Sequence, residues 1–307
     1  MRLNPASVLL AFLCLLGPAH AGSLRYCDPQ RSIGPAGLER MLRVADVVKA
    51  ELEASGQPVA LVSRSGLALG LLGQRYSHAG VSRRDHEASP WAVRQLYYAC
   101  DEARPRIFDQ GMTGFVMGVH NDAEGYLSVV TLPDEASQLL HAAVRDPQRA
   151  LALLADDYSA NAYPYALHYQ NCNQWLVELL ASAWDTAPGD RNRARAQAWL
   201  HTQGYAPTEL QLWRPVLAFA RLLSYLHFDD HPPALLEQGR LQLSLPQGIE
   251  QFVRRRWPEA RRVEVCYTTT RVVVHRGWEA IAEGCVPGAG DTVIQLAPEP
   301  VTDSSPW

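Results

Sequence analysis

Five short runs with strand character follow one another between residues 58 and 133, and helical patterns stand on either side of them. They are "PVALVSR", "RYSHAGVS", "WAVRQLYYAC", "RIFD" and "YLSVVTLP". Ahead of them, "GPAGLERMLRVADVVKAELEAS" sets Leu38, Met41, Leu42, Ala45, Val48 and Leu52 at helical spacing, with Pro35 in the first turn. Behind them the periodicity predicts helices over 134–145 and 147–155 and a Tyr-, Asn- and Pro-rich loop over 158–170. A helix from Cys172 to about Trp184 follows. Strands first and helices later is the order of an α+β fold. Further helices are expected near 190–203 and 213–226. After these come a strand and helix in "GRLQLSLPQGIEQFVRRRW", a hairpin in "RRVEVCYTTTRVVVHRG" and a last strand in "DTVIQL". A soft boundary near 186–206 separates an α+β domain, 22–190, from a C-terminal α/β extension, 191–296; the polar tail 297–307 reads as disordered.

The first residues decide what the cysteines mean. "MRLNPASVLLAFLCLLGPAHAG" has Arg2, an apolar run from Val8 to Leu16 and the small-residue ending Ala19-His20-Ala21. This is the pattern of a secretory signal over 1–21, too short to span a bilayer, and no later run is long enough to do so. The expected destination is an oxidising compartment, a bacterial periplasm or beyond. Five cysteines then remain: Cys27, Cys100, Cys172, Cys266 and Cys285. Pairing neighbours as 27–100 and 266–285 leaves Cys172 over, although sequence alone does not fix connectivity. The formal net charge of -4 gives no footprint for nucleic acid, and 20% charged with 47% hydrophobic residues describes an ordinary globular chain.

Cys172 stands in "YQNCNQWLVELL", where irregular chain becomes helix. A helix N-terminus favours thiolate, and Asn171 is a preferred capping type. The Cys172 backbone N–H there is a candidate oxyanion donor. A small buried apolar residue on the inner face beside Trp175, Leu176 and Leu179 is the equally weighted alternative. His78 lies in "RYSHAGV", where alternation puts Tyr76, His78 and Gly80 on one strand face and Ala79 and Val81 on the other. Taken alone, His78 reads more readily as a hydrogen-bonded, partly buried histidine than as a base.

Together the two motifs resemble the circularly permuted branch of the papain-like, NlpC-type thiol enzymes, in which the histidine strand precedes the cysteine helix. "NCNQW" is similar to the Asn-Cys-Glu-His-Phe motif of the lecithin:retinol acyltransferase group, with Asn171 and Cys172 matching, Asn173 and Gln174 replacing Glu-His, and Trp175 replacing Phe. The whole chain resembles a family of uncharacterised secreted bacterial proteins, domain of unknown function 2145. The resemblance rests on "SLRYCDP", "VRQLYYACDE", "RPRIFDQG", "YSANAYPYALHYQNCNQW" and "RGWEAIAEGC". The superfamily resemblance implies a permuted papain-like core, an antiparallel sheet packed on helices. It further implies Cys172 as nucleophile, His78 as base on a strand beside the cysteine helix, and acyl transfer from an amide or ester. The implied substrates are peptidoglycan peptides first and lipid acyl groups second.

A third residue normally orients the histidine. If strands 75–82 and 91–99 pair in a hairpin centred near 86–87, Gln95 lies opposite His78 with Tyr97 one step along; a slip by one residue would substitute Arg94 or Leu96. The superfamily's other branches place a histidine or glutamate here, and a neutral glutamine stabilises imidazolium less.

No cofactor or metal is expected. "RSGLALGLLG" and "GMTGFVMGVH" lack phosphate-loop spacing and read as loops. "HFDDHPP" (His227, Asp229, Asp230, His231) reads as a helix end stopped by Pro232 and Pro233 rather than a metal site. Tyr158, Tyr163, Tyr165 and Tyr169 either line a groove or pack in the core. Against the enzyme stand a non-catalytic periplasmic binding or assembly protein on the same scaffold, and a structural protein with Cys172 in a disulfide.

Overall fold

The computed structural model describes residues 33–100, 102–220, 223 and 225–296. The signal segment 1–21, Cys27 and the tail 297–307 lie outside the described residues. The chain opens with α1 (Pro35–Ala54), β1 (Val59–Arg64), β2 (His78–Arg83), β3 (Ala92–Ala99), β4 (Arg104–Gln110) and α2 (Met112–Met117). Next come β5 (Gly125–Thr131), α3 (Asp134–Arg145), α4 (Pro147–Ala152), the two-residue strands β6 (Asp157–Tyr158) and β7 (Tyr169–Gln170), and α5 (Cys172–Trp184). The last third contains α6 (Arg193–Thr202), β8 (Thr208–Gln211), α7 (Arg214–Ala220), α8 (Pro233–Glu237), β9 (Arg240–Leu243) and α9 (Pro246–Arg256). It closes with β10 (Arg261–Tyr267), β11 (Arg271–Arg276) and β12 (Thr292–Gln295).

Eight strands form one sheet in the order β12-β11-β10-β5-β1-β2-β3-β4, with every neighbouring pair antiparallel. The protein is thus α+β with a large antiparallel sheet. β10 pairs with β5 from Arg261↔Thr131 to Tyr267↔Gly125, so the C-terminal hairpin extends the sheet that the first half begins.

Strand alternation sends side chains to two cores. Val59, Leu61, Ala79, Val81, Leu96 and Val130 meet α3, α5, α6 and α9 on one face. Ala60, Val62, Val93, Leu127, Val129 and Val265 meet α1 and α2 on the other. Helix α1 turns Met41, Val44, Ala45, Val48 and Leu52 inward, whereas Leu38 and Leu42 stay exposed. Helix α2 corrects the expectation of a loop in "GMTGFVMGVH". Two glycines masked the helical signal, but Met112, Phe115 and Val116 all point into the core under β3.

Candidate active site

Helix α5 begins at Cys172 because Asn171 is extended, at φ -100 and ψ 171, and its side-chain oxygen accepts from Gln174 N at 2.7 Å. The Asn171 amide also donates to the carbonyls of Ala160 (3.3 Å) and Ser244 (3.4 Å), which fixes the cap to two other segments. About two turns further on, Glu178 is the lone charge of the helix and is fully buried. It accepts from Gln170 (2.6 Å), Arg193 (2.9 Å), Gln174 (3.2 Å) and Gln197 (2.8 Å). Burial pushes its carboxyl above the ordinary value, against the opposing pull of Arg193 and the amides. Arg193 also donates to the carbonyls of Leu167 (2.6 Å) and Tyr169 (3.0 Å). One buried ion pair therefore clamps the cysteine helix to the loop that leads into it.

Cys172 is half-buried and keeps its thiol. Cys266 and Cys285 are joined by a disulfide, as expected. Cys100 is also disulfide-bonded, and its expected partner Cys27 lies outside the described residues. The bridged alternative for Cys172 is thereby set aside.

Cys172 and His78 line the same cavity, about 220 Å³ in volume, together with Arg64, Tyr97, Tyr158 and Tyr225. The two reach it from different layers. Cys172 packs against the helical core on the Ala79 and Val81 face, while the His78 ring lies 4.9 Å from Tyr97 and 6.1 Å from Phe115 on the other. The Asn173 amide donates to Ser77 O at 3.0 Å and so docks the first turn of α5 on the start of β2.

His78 Nε2 bonds Gln95 Oε1 at 2.8 Å, and Gln95 Nε2 donates to Gln110 Oε1 at 2.8 Å. Because the Gln95 amide nitrogen serves Gln110, its oxygen faces the ring, Nε2 carries the proton and Nδ1 is the acceptor. The register differs from the expected one. Val81 pairs with Arg94 and Arg83 with Ala92; continuing that register sets Gly80 opposite Gln95 and His78 opposite Tyr97. A shift of two residues keeps every side chain on its face, so Gln95 still reaches His78, diagonally. Gly80 permits this: a Cβ there would lie 2.7 Å from Val93 Cγ1, 2.8 Å from Arg94 O and 3.1 Å from Gln95 Cβ. Burial, then the Arg64 charge, hold the His78 imidazolium down to a pKa of about 3, against the bond from Gln95. The ring is neutral at neutral pH.

Sequence reasoning missed Arg64, which reads as a plain strand end. It pairs with His78 across the β1–β2 ladder, is 2% exposed, and donates from Nη2 to Tyr97 Oη at 2.9 Å. Tyr76, expected beside His78, is a correction. The strand begins only at His78, and Tyr76 turns away to Glu264 and Arg262. Of the four tyrosines before the cysteine, Tyr158 lines the cavity and stacks on Tyr98, whereas the Tyr165 hydroxyl donates to Tyr205 O at 2.7 Å and Tyr169 stacks on His227. In "HFDDHPP", Asp230 accepts from Tyr163 N (2.8 Å) and His231 Nε2 bonds Asn161 O (2.7 Å), so the motif pins the 158–170 loop. Among the described residues no cluster of three or more His, Cys, Asp or Glu could hold a metal, and no helix is long and apolar enough to cross a membrane.

A second, larger cavity of about 670 Å³ shares Leu67 in its wall with the first. Its wall contains Arg75, Arg262, Glu250 and Glu264. Arg75–Glu264 and Arg262–Glu264 both lie at 3.1 Å, and Arg262–Glu250 at 3.0 Å. Burial pushes the Glu264 carboxyl up, but Arg262, the Tyr76 hydroxyl, the Ile281 N–H and Arg75 together hold it below its ordinary value.

The family model described as "Uncharacterized protein conserved in bacteria (DUF2145)" matches residues 51–253. The chain belongs to this family. The part matching the DUF2145 model runs from the last turn of α1 into α9 and so contains Arg64, His78, Gln95 and Cys172, while β10, β11 and β12 lie beyond it. No curated protein and no solved structure matches the chain.

Proposed function

We propose that the protein is an exported thiol hydrolase or acyltransferase on a permuted papain-like scaffold, acting on an amide or ester of the bacterial envelope. The observation that carries this reading is the shared cavity: a thiol at a capped helix start and a histidine with its Nε2 proton committed to Gln95 open into one space. In this reaction Cys172 Sγ attacks the carbonyl while its proton passes to His78 Nδ1. The oxyanion meets the backbone N–H groups of the first turn of α5, and the leaving group takes the proton from His78. The thioester is then resolved by water or an acceptor that His78 deprotonates. Because the imidazole rests neutral, proton transfer accompanies attack rather than preceding it as a thiolate–imidazolium pair. Peptidoglycan peptides are the first substrate class and lipid acyl groups the second. The disulfide between Cys266 and Cys285 supports an oxidising compartment and hence export.

One observation favours a second reading, a non-catalytic binding or assembly protein on the same scaffold. A ring held neutral to about pH 3 and oriented by a neutral amide is a weak base. Trapping separates the two. Incubation with an activated ester probe, followed by mass analysis, is expected to find an acyl adduct on Cys172 in wild type and none in Cys172→Ser. A Cys172 that acquires no adduct in the folded protein leaves the binding scaffold as the account.

A further inference from the structure

We propose that the larger cavity is a binding site for an uncharged, polyhydroxylated ligand, a saccharide of one or two rings. The proposal does not rest on the reading of Cys172 as nucleophile. The volume of about 670 Å³ lies within the range of cavities that take small ligands. The described wall contains three arginines, Arg75, Arg254 and Arg262, and four glutamates. Arg75 and Arg262 are already paired with Glu250, Glu264 and Glu283. So nearly balanced a wall gives neither an anion nor a cation a field that favours it.

What the wall offers instead is uncharged hydrogen bonding. Helix α9 sets Gln247, Glu250, Gln251 and Arg254 along the cavity at helical spacing, while Ile249, Phe252 and Val253 lie in the core. Gln247 Oε1 accepts from Arg75 N at 2.8 Å, and Asn121 Oδ1 from Ala123 N at 3.0 Å. Neither of these amides has an acceptor for its NH2 group among the described residues. In the same wall Gln74 Oε1 is buried and has no hydrogen-bond donor. A buried acceptor without a donor costs stability that a ligand can restore. The site thus asks for a donor at Gln74 and acceptors at Gln247 and Asn121, and closely spaced hydroxyls are both at once.

Two flat surfaces complete the match. The Arg75 guanidinium carbon lies 4.1 Å from the centre of the Tyr126 ring, and that of Arg254 5.1 Å from the Trp278 ring. Such stacks are planar and weakly hydrated, with N–H donors at their edges, and they suit the C–H face and rim hydroxyls of a pyranose. The wall is also preformed. Ile281 N donates to Glu264 Oε2 at 2.6 Å, and the disulfide between Cys285 and Cys266 ties the stretch after Trp278 to β10. A ligand therefore meets groups that folding has already ordered.

Titration of the whole chain with cellobiose and with N,N′-diacetylchitobiose, followed by ¹H–¹⁵N NMR, tests this. At least one is expected to bind with a Kd of about 1 mM or tighter and to shift the side-chain amide resonances of Gln74, Gln247 and Gln251. The glucosamine disaccharide, a cation of the same shape, should bind about tenfold more weakly. Gln74→Leu keeps the bulk and removes the orphan acceptor. It should weaken binding about three- to tenfold and leave thermal stability unchanged or raised, whereas a glutamine that serves only the fold would lower stability and leave affinity alone. Gln251→Ala, on the exposed face of α9, should weaken binding about two- to fivefold with the fold intact, and so decides the matter if Gln74→Leu does not fold. Binding of neither neutral sugar, shifts confined to residues outside the cavity, or equal affinity for the cationic disaccharide overturns the assignment, and none of these results bears on Cys172.

Discussion

The two cavities that share Leu67 in their walls are built for different work. In the larger one, Glu264 and Glu250 neutralise Arg75 and Arg262, and Tyr76, Ser63 and Ile281 satisfy the remaining lone pairs, so the charges answer one another. In the smaller one, the described wall sets a thiol and a neutral histidine among tyrosines and the Arg64 side chain. Size alone would nominate the first as the working site. Chemistry nominates the second, because it brings a thiol and a histidine to one space, whereas a charge network that satisfies itself holds a fold together. The larger cavity also sits where β10 joins β5, the seam between the two halves of the chain.

The largest expected effect would break the comparison on the structural side. Glu264→Gln leaves Arg75 and Arg262 facing each other without their shared carboxylate, and should cost about 3–5 kcal/mol of stability in urea unfolding. Cys172 labelling, measured well below the new transition, should stay within about twofold of wild type. A large change in labelling would mean that the two cavities act as one.

A second test uses pH. His78 has a folded pKa of about 3 against an ordinary 6.5, so its contribution to stability is complete above about pH 6.5. As pH falls toward 3, the unfolded chain takes up a proton that the folded one refuses. Stability should then drop by about 1.4 kcal/mol per pH unit through this one group. The difference in unfolding free energy between wild type and His78→Asn should show this slope between pH 6 and pH 4; a flat difference would mean that the ring is not held neutral.

The smallest effect belongs to the relay. Gln95→Ala removes the acceptor for His78 Nε2 and should slow Cys172 acylation by about five- to tenfold, the value of one hydrogen bond near the site, with little change in unfolding. No change would show that burial against Tyr97 and Phe115 is enough to orient the ring.

Much of this was legible in the sequence, and the exceptions have physical causes. Helix α1, the five early strands and the Cys172–Trp184 helix fall within a few residues of their periodic patterns, because each buries one face and the pattern records it. The pairing of β10 with β5 was not legible, since more than a hundred residues separate the strands and no local signal encodes a distant neighbour. Gln95 was reached through a register two residues out, a tolerant error only because the strand period is two. Arg64 left no trace, as a strand-ending arginine reads as solvated until the fold closes Gly66 and Gly118 around it. Glu178 went unread: a single acid inside "WLVELLASAW" is a local signal, but its role in holding the cysteine helix required the position of Arg193.

The most direct test of the central claim is the rate at which an activated ester probe acylates native Cys172 near neutral pH, in wild type and in His78→Ala. The account predicts that the thiol reacts in the folded protein and that removing the base slows acylation by an ester probe by about 10²–10⁴-fold without unfolding the chain. The Cys172→Ser/His78→Ala double variant should be no worse than Cys172→Ser alone. Equal, slow rates in wild type and His78→Ala, rising only when the protein unfolds, would contradict the account: Cys172 would then be a packed residue at a helix start, and the cavity it shares with His78 a place of binding rather than of chemistry.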